Sequence, residues 1–154
     1  MTIQPVRKEI EVKAPPARAF TIFTERMHEW WPAEHTIASS PRENVVLEGR
    51  EGGRWFERAV DGSETDWGTV LAWEPPGRLL LNWQINGEWK FEPDLVTEVE
   101  LLFRPHGTGT LVSLEHRNLE RLGSNAAAVV DQLRNGWLRI LELFATLADK
   151  AENS

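Results

Sequence analysis

Between Val130 and Leu147, large apolar residues recur at every third or fourth position: Val130, Leu133, Trp137, Ile140, Leu141, Phe144 and Leu147. Asp131, Asn135, Arg139, Glu142, Thr146 and Asp149 keep the same spacing on the opposite side. This is an amphipathic helix with one stripe to bury. Ser124 or Asn125 is placed to cap it, and it continues to about Lys150. At the helical rise it is roughly 39 Å long, enough to cross most of a small domain. It therefore needs an extended apolar surface as a partner, and the rest of the chain must supply one.

The remaining pattern is that of a sheet. Arg7 to Lys13 sets Ile10 and Val12 between charged neighbours, the period of a strand with one buried face. Pro15-Pro16 halts that strand and starts a short helix carrying Phe20 and Phe23 to Glu25. Met27 to Pro41, with Trp30-Trp31-Pro32 and Ser39-Ser40-Pro41, reads as irregular structure with one further helical turn. Strands follow over Val45 to Gly49, Arg54 to Val60, Thr65 to Glu74, Arg78 to Asn86, Val96 to Arg104 and Thr110 to Arg117. Between them lie Glu51-Gly52-Gly53, Asp61-Gly62, Pro75-Pro76-Gly77, the hairpin dipeptide Asn86-Gly87, and Pro105 to Gly109. Short turns make an antiparallel meander, and such a sheet commonly buries one face only. The expected fold is α+β: a curved antiparallel sheet of about six or seven strands gripping the C-terminal helix, with one or two short helices after the first strand. We expect one domain over residues 1–154, with its core at about 7–149.

Composition narrows the function classes. The chain of 154 residues has no cysteine, which removes disulfides and thiolate chemistry. A net charge of -7, with scattered arginines, argues against a nucleic-acid partner. Met1 to Val6 has no signal-peptide pattern, and no apolar run reaches the roughly 20 residues that span a bilayer, so no membrane insertion is expected. The expected location is the cytoplasm.

Several residues carry a family resemblance. These are Ala14-Pro15-Pro16 before the helix with Phe20, the pair Trp30-Trp31, and Gly52-Gly53 leading a strand. Gly68 with Val70 before Pro75-Pro76, Leu79 with Trp83, Gly109-Thr110 and Gly136-Trp137 complete the set. In this order, from Ile10 to about Leu147, they resemble the bacterial relatives of the activator of the heat-shock protein 90 ATPase. Those relatives lie within the StAR-related, birch-pollen-allergen-like helix-grip superfamily. The resemblance implies a cavity between sheet and long helix for an apolar small molecule such as a lipid, a sterol or a polyketide-like aromatic.

Eight tryptophans and no tyrosine also invite a binding explanation. Alternation along the strand from Arg78 puts Leu79, Leu81, Trp83 and Ile85 on the helix-facing side, and Leu80, Asn82 and Gln84 on the other. Trp83 is thus a pocket candidate. Trp137 enters from the helix, and the family pattern favours Trp55 as an inward residue. Indole N–H groups would be the sparse polar handles of such a pocket. Each of these tryptophans also has a plain reading as core. His116, in step with Thr110, Val112 and Leu114, is a candidate for orienting a ligand or acting as acid or base, against a hydrogen-bonded or solvated histidine at a strand end. For Gly136, in mid-helix, close approach of helix to sheet is favoured over space left for a ligand.

His28 and His35 lie near Glu29 and Glu34 but match no metal motif, His106 falls in a turn, and Glu98 and Glu100 read as a solvated face. No catalytic motif, metal or cofactor is assigned. The leading expectation is binding of a small apolar ligand by Trp55, Trp83, His116 and Trp137, by a monomer or weak homodimer. Two alternatives are kept: a cyclase or hydrolase using the same pocket, and a chaperone-partner module in stress response.

Overall fold

The computed structural model describes residues 3–123 and 125–153. Its elements run β1 (Val6–Val12), α1 (Pro16–Glu25), α2 (Met27–Trp30), β2 (Arg42–Leu47), β3 (Arg54–Ala59), β4 (Glu64–Glu74), β5 (Arg78–Trp83), β6 (Thr97–His106), β7 (Gly109–Arg117), a 3-10 turn (Leu119–Leu122) and α3 (Ala126–Asn153). The proposed cap Ser124 lies outside the described residues. All neighbouring strands are antiparallel, in one seven-stranded sheet of order β1-β7-β6-β5-β4-β3-β2. The sheet curls into a half-barrel, and α3 lies in its concave side. The segment holding α1 and α2 carries the chain from one sheet edge to the other.

Alternation explains which face is dry. On β6, Val99, Leu101 and Phe103 are buried, whereas Glu98 and Glu100 pair outside with Arg117 and Arg78. On α3 the stripe from Val130 to Phe144 is buried, with Leu147 packed partly against it. Each large side chain there contributes roughly 1.5 to 3 kcal/mol before entropy is counted, which binds helix and sheet into one cooperative unit.

The two halves of the grip are filled differently. Toward the C-terminal half of α3, Phe20 and Phe23 of α1 meet Phe103 and Phe144 edge to face, with centroids 5.2 to 5.8 Å apart, and close that end with solid packing. Toward the N-terminal half the filling is tryptophan.

Two local expectations change. The β5 strand ends at Trp83 instead of running to Asn86; beyond it Gln84 donates through its side chain to the Pro93 carbonyl at 2.8 Å, and Asn82 and Gln84, on the face away from α3, are both buried. The Asn86-Gly87 pair does not form a tight two-residue turn. Asn86 Oδ1 instead accepts the backbone N–H groups of Glu88 and Lys90, and the left-handed residue is Trp89, with φ 61°. A Cβ at Gly87 would lie 2.5 Å from Oδ1 of the exposed Asn125 side chain, which would have to swing aside. Among the described residues no helix is long and apolar enough to cross a membrane.

Candidate functional site

A cavity of about 360 Å³ opens beneath the N-terminal half of α3. Trp67 of β4, Trp83 of β5 and the following Ile85 form its sheet side. Leu133, Gly136, Trp137 and Ile140 form the helix side, and the α2–β2 segment contributes Trp31, Glu34, His35, Thr36 and Ile37. Trp89 and Gln132 stand at the mouth. Five of the eight tryptophans therefore wall one space.

Their rings brace one another. Trp31 lies 5.0 Å from Trp67 and 5.8 Å from Trp137, and Trp83 lies 5.5 Å from Trp137, centroid to centroid. Of the four residues predicted from sequence, the structure brings Trp83 and Trp137 to the cavity wall. Trp55 stands one layer behind, against Trp31, Trp67 and Trp83, with its N–H aimed at the Met27 sulfur. His116 is also behind the wall.

The N–H groups of four of the five wall indoles are already engaged. Trp67 Nε1 donates to Glu57, Trp83 Nε1 to the Ile85 carbonyl, Trp31 Nε1 to the His35 carbonyl and Trp137 Nε1 to His116 Nδ1. These indoles thus present ring faces, not the N–H handles expected from composition.

His116 is wholly buried and both its nitrogens are used. Because the indole of Trp137 can only donate, Nδ1 is the acceptor at 3.1 Å and the proton sits on Nε2. Nε2 then donates to Thr97 Oγ1 at 3.0 Å, and that hydroxyl donates to the Trp83 carbonyl at 2.7 Å. The chain locks the two cavity tryptophans to the sheet. It also removes His116 from ligand contact, so its acid–base role has no geometric support.

Burial pushes the His116 pKa from 6.5 down to about 3. The unfolded chain therefore takes up a proton that the fold refuses, so this contribution to stability is complete above 6.5 and is lost as pH falls toward 3. Unfolding free energy should drop by about 1.4 kcal/mol per pH unit below the unfolded pKa. Between about pH 5 and 6.5 few carboxylates titrate, but His35, whose pKa burial also lowers, adds to the slope, so urea melts in that window read His116 as the difference between wild type and variant. In His116→Gln, whose amide can replace both hydrogen bonds, the slope should flatten; an unchanged slope rejects the assignment.

The loop that forms one wall is held by two residues that no sequence pattern singles out. Glu57 of β3 is fully buried and accepts from Thr36 Oγ1, from the Ile37 backbone N–H at 2.8 Å and from Trp67 Nε1 at 2.9 Å. Arg42 of β2 donates to the carbonyls of Trp31, Pro32 and His35. Burial lowers the Arg42 pKa, while Glu57 and Glu34 raise it. One acidic and one basic side chain thus clamp residues 31–37.

With this geometry in place, comparison with known proteins is informative. The family described as Activator of Hsp90 ATPase homolog 1-like protein matches residues 13–149. The chain belongs to this family. No curated protein matches. Among solved structures, this Aha1-like chain is similar to the anthrahydroquino-gamma-pyrone synthase Txn09, at 36% identity over 94% of this chain and 97% of that one, TM-score 0.65. It is also similar to the self-sacrificing resistance protein CalC from Micromonospora echinospora, at 30% identity over 96% of each chain, TM-score 0.74. The Aha1 dimer from Colwellia psychrerythraea shares the fold at 15% identity over 96% of this chain and 97% of that one, TM-score 0.68.

Two features of the Aha1-like cavity stand out. A Cβ built at Gly136 would meet only His35 Cε1, at 3.8 Å, so the glycine faces open space. The close-packing explanation favoured from sequence is therefore corrected: the helix-to-sheet distance did not require glycine, and the missing side chain is cavity volume. Trp89, 40% exposed at the mouth, holds a positive φ that a bulky side chain rarely adopts. Such strain persists where surrounding structure imposes it, and here the Asn86 side chain does so. Among the described residues no group of three His, Cys, Asp or Glu side chains is placed to hold a metal ion.

Proposed function

We propose that this protein binds a flat, apolar aromatic molecule of polyketide type in the cavity beneath α3. The observation that carries the reading is the wall of five tryptophans around about 360 Å³. That volume is at the small end of ordinary ligand sites, and indole faces suit a planar ring system through burial and offset stacking. The similarity to Txn09, an anthrahydroquino-gamma-pyrone synthase, over nearly the full length of both chains supports the same class of ligand. A cyclase reading is the second choice. It rests on the synthase relative and needs an acid–base group in the cavity, a position that His116 does not hold and the His35 ring does.

Tryptophan fluorescence and thermal shift test the proposal with anthraquinone, a flavonoid, a sterol and a fatty acid as probes. Anthraquinone should quench the fluorescence, and at a hundredfold excess over Kd it should stabilise the fold by about 2.7 kcal/mol. Absence of any response from the aromatic probes would remove the reading, and a response from the sterol or fatty acid alone would redirect it to lipids.

A further inference from the structure

Four of the five wall tryptophans have no N–H to spare and the fifth, Trp89, stands exposed at the mouth, so the polar part of a ligand inside the cavity must be read by another group. Thr36 is committed to Glu57. Glu34 pairs with Arg139, and Gln132 stands exposed at the rim. His35 is different. Its ring lines the cavity, is partly buried, and makes no hydrogen bond among the described residues.

The backbone beneath that ring is fixed on both sides. The His35 N–H donates to the Pro32 carbonyl at 3.0 Å, and the His35 carbonyl accepts from Trp31 Nε1 and from Arg42. The ring atom nearest the space left by Gly136 is Cε1, the carbon bonded to both ring nitrogens. An imidazole on a pinned backbone thus faces a gap in the helix wall.

We propose that His35 is the polar recognition residue of this cavity, and that the ligand it selects is an aromatic bearing a phenolic or enolic hydroxyl. The inference rests on the binding function proposed above and adds the ligand's chemistry. Charge state agrees with the geometry. Burial lowers the His35 pKa first of all, Arg139 and Arg42 lower it further, and Glu34 opposes them. The neutral ring that results has one donor and one acceptor nitrogen, which matches a hydroxyl that can both give and take a hydrogen bond. A carboxylate ligand can only accept, so it would use the donor nitrogen alone. A hydroxyl on a planar aromatic can use either nitrogen, and its rings match the indole faces.

The test compares anthraquinone with 2-hydroxyanthraquinone by fluorescence titration on the full chain, for wild type, His35→Phe and His35→Asn. Wild type should prefer the hydroxylated probe by roughly five- to tenfold, the gain of one well-placed hydrogen bond. His35→Phe should lose that preference while still binding anthraquinone, and His35→Asn, with a donor and an acceptor on a shorter side chain, should recover part of it. A preference retained in the phenylalanine variant, or absent in wild type that binds both probes, overturns this inference and leaves the cavity function standing. Binding of neither probe by wild type overturns both.

Discussion

Replacing Gly136 with leucine is expected to abolish ligand binding while leaving the fold at least as stable as wild type. Glycine inside a helix costs about 1 kcal/mol relative to alanine, and nothing near Gly136 demands it, since the only neighbour of an added Cβ is His35 Cε1 at 3.8 Å. Gly136→Ala should therefore raise the melting temperature by about 2 to 4 °C in a chain of this size and weaken binding only in part. In Gly136→Leu the branched end projects into about 360 Å³ between Trp137 and the loop holding His35. It occupies space a planar ligand would need and gains apolar contacts of its own. Thermal melts and anthraquinone titration of both variants read the two effects separately. Loss of stability in the alanine variant would restore the idea that helix and sheet touch at this point.

Glu57→Ala should have a large effect on the fold. It would leave the Trp67 indole N–H, the Ile37 backbone N–H and the Thr36 hydroxyl without the acceptor they share. Orphaning buried donors costs roughly 1 to 3 kcal/mol each, and some of the three will find water, so a loss of about 3 kcal/mol or more is expected in urea melts. The loop over residues 31–37 should then become the first site of proteolysis, and aromatic binding should fall with it. Glu57→Gln keeps one acceptor oxygen and should lie between alanine and wild type. A loss below about 1 kcal/mol for alanine would mean that Arg42 alone holds the loop.

These variants also mark where sequence reasoning stopped. Trp83 and Trp137 were found because alternation on a regular strand and spacing on a regular helix give side-chain direction. Trp67 was not. It is the extra residue of a bulge, since Trp55 pairs with Gly68 and Phe56 with Asp66, and a bulge breaks the alternation on which such reasoning depends. Trp31 and Trp89 lie in loops, where no period applies, and Trp89 reaches the mouth through a left-handed conformation that no rule assigns to tryptophan. Glu57 carried a misleading signal, because an acidic residue on a strand usually faces water. Trp55 and His116 are inward, as alternation and the family pattern implied, yet both are screened from the cavity by other aromatic rings.

The long helix with one apolar stripe, and the strands cut by glycine and proline, were properties of the sequence by itself. Local periodicity and turn chemistry act over a few residues and need no partner to be recognised. With them came the antiparallel meander, the face each regular element buries, and the need for the sheet to curl around α3. Which aromatic rings meet around a space, and which merely fill it, depended on contacts between residues far apart in the chain. The bulge at Trp67, the clamp of Glu57 and Arg42 on one loop, and the gap opposite His35 exist only after the sheet has closed on the helix. The volume inside a fold is a difference between a wall and its filling, and no single segment contains both.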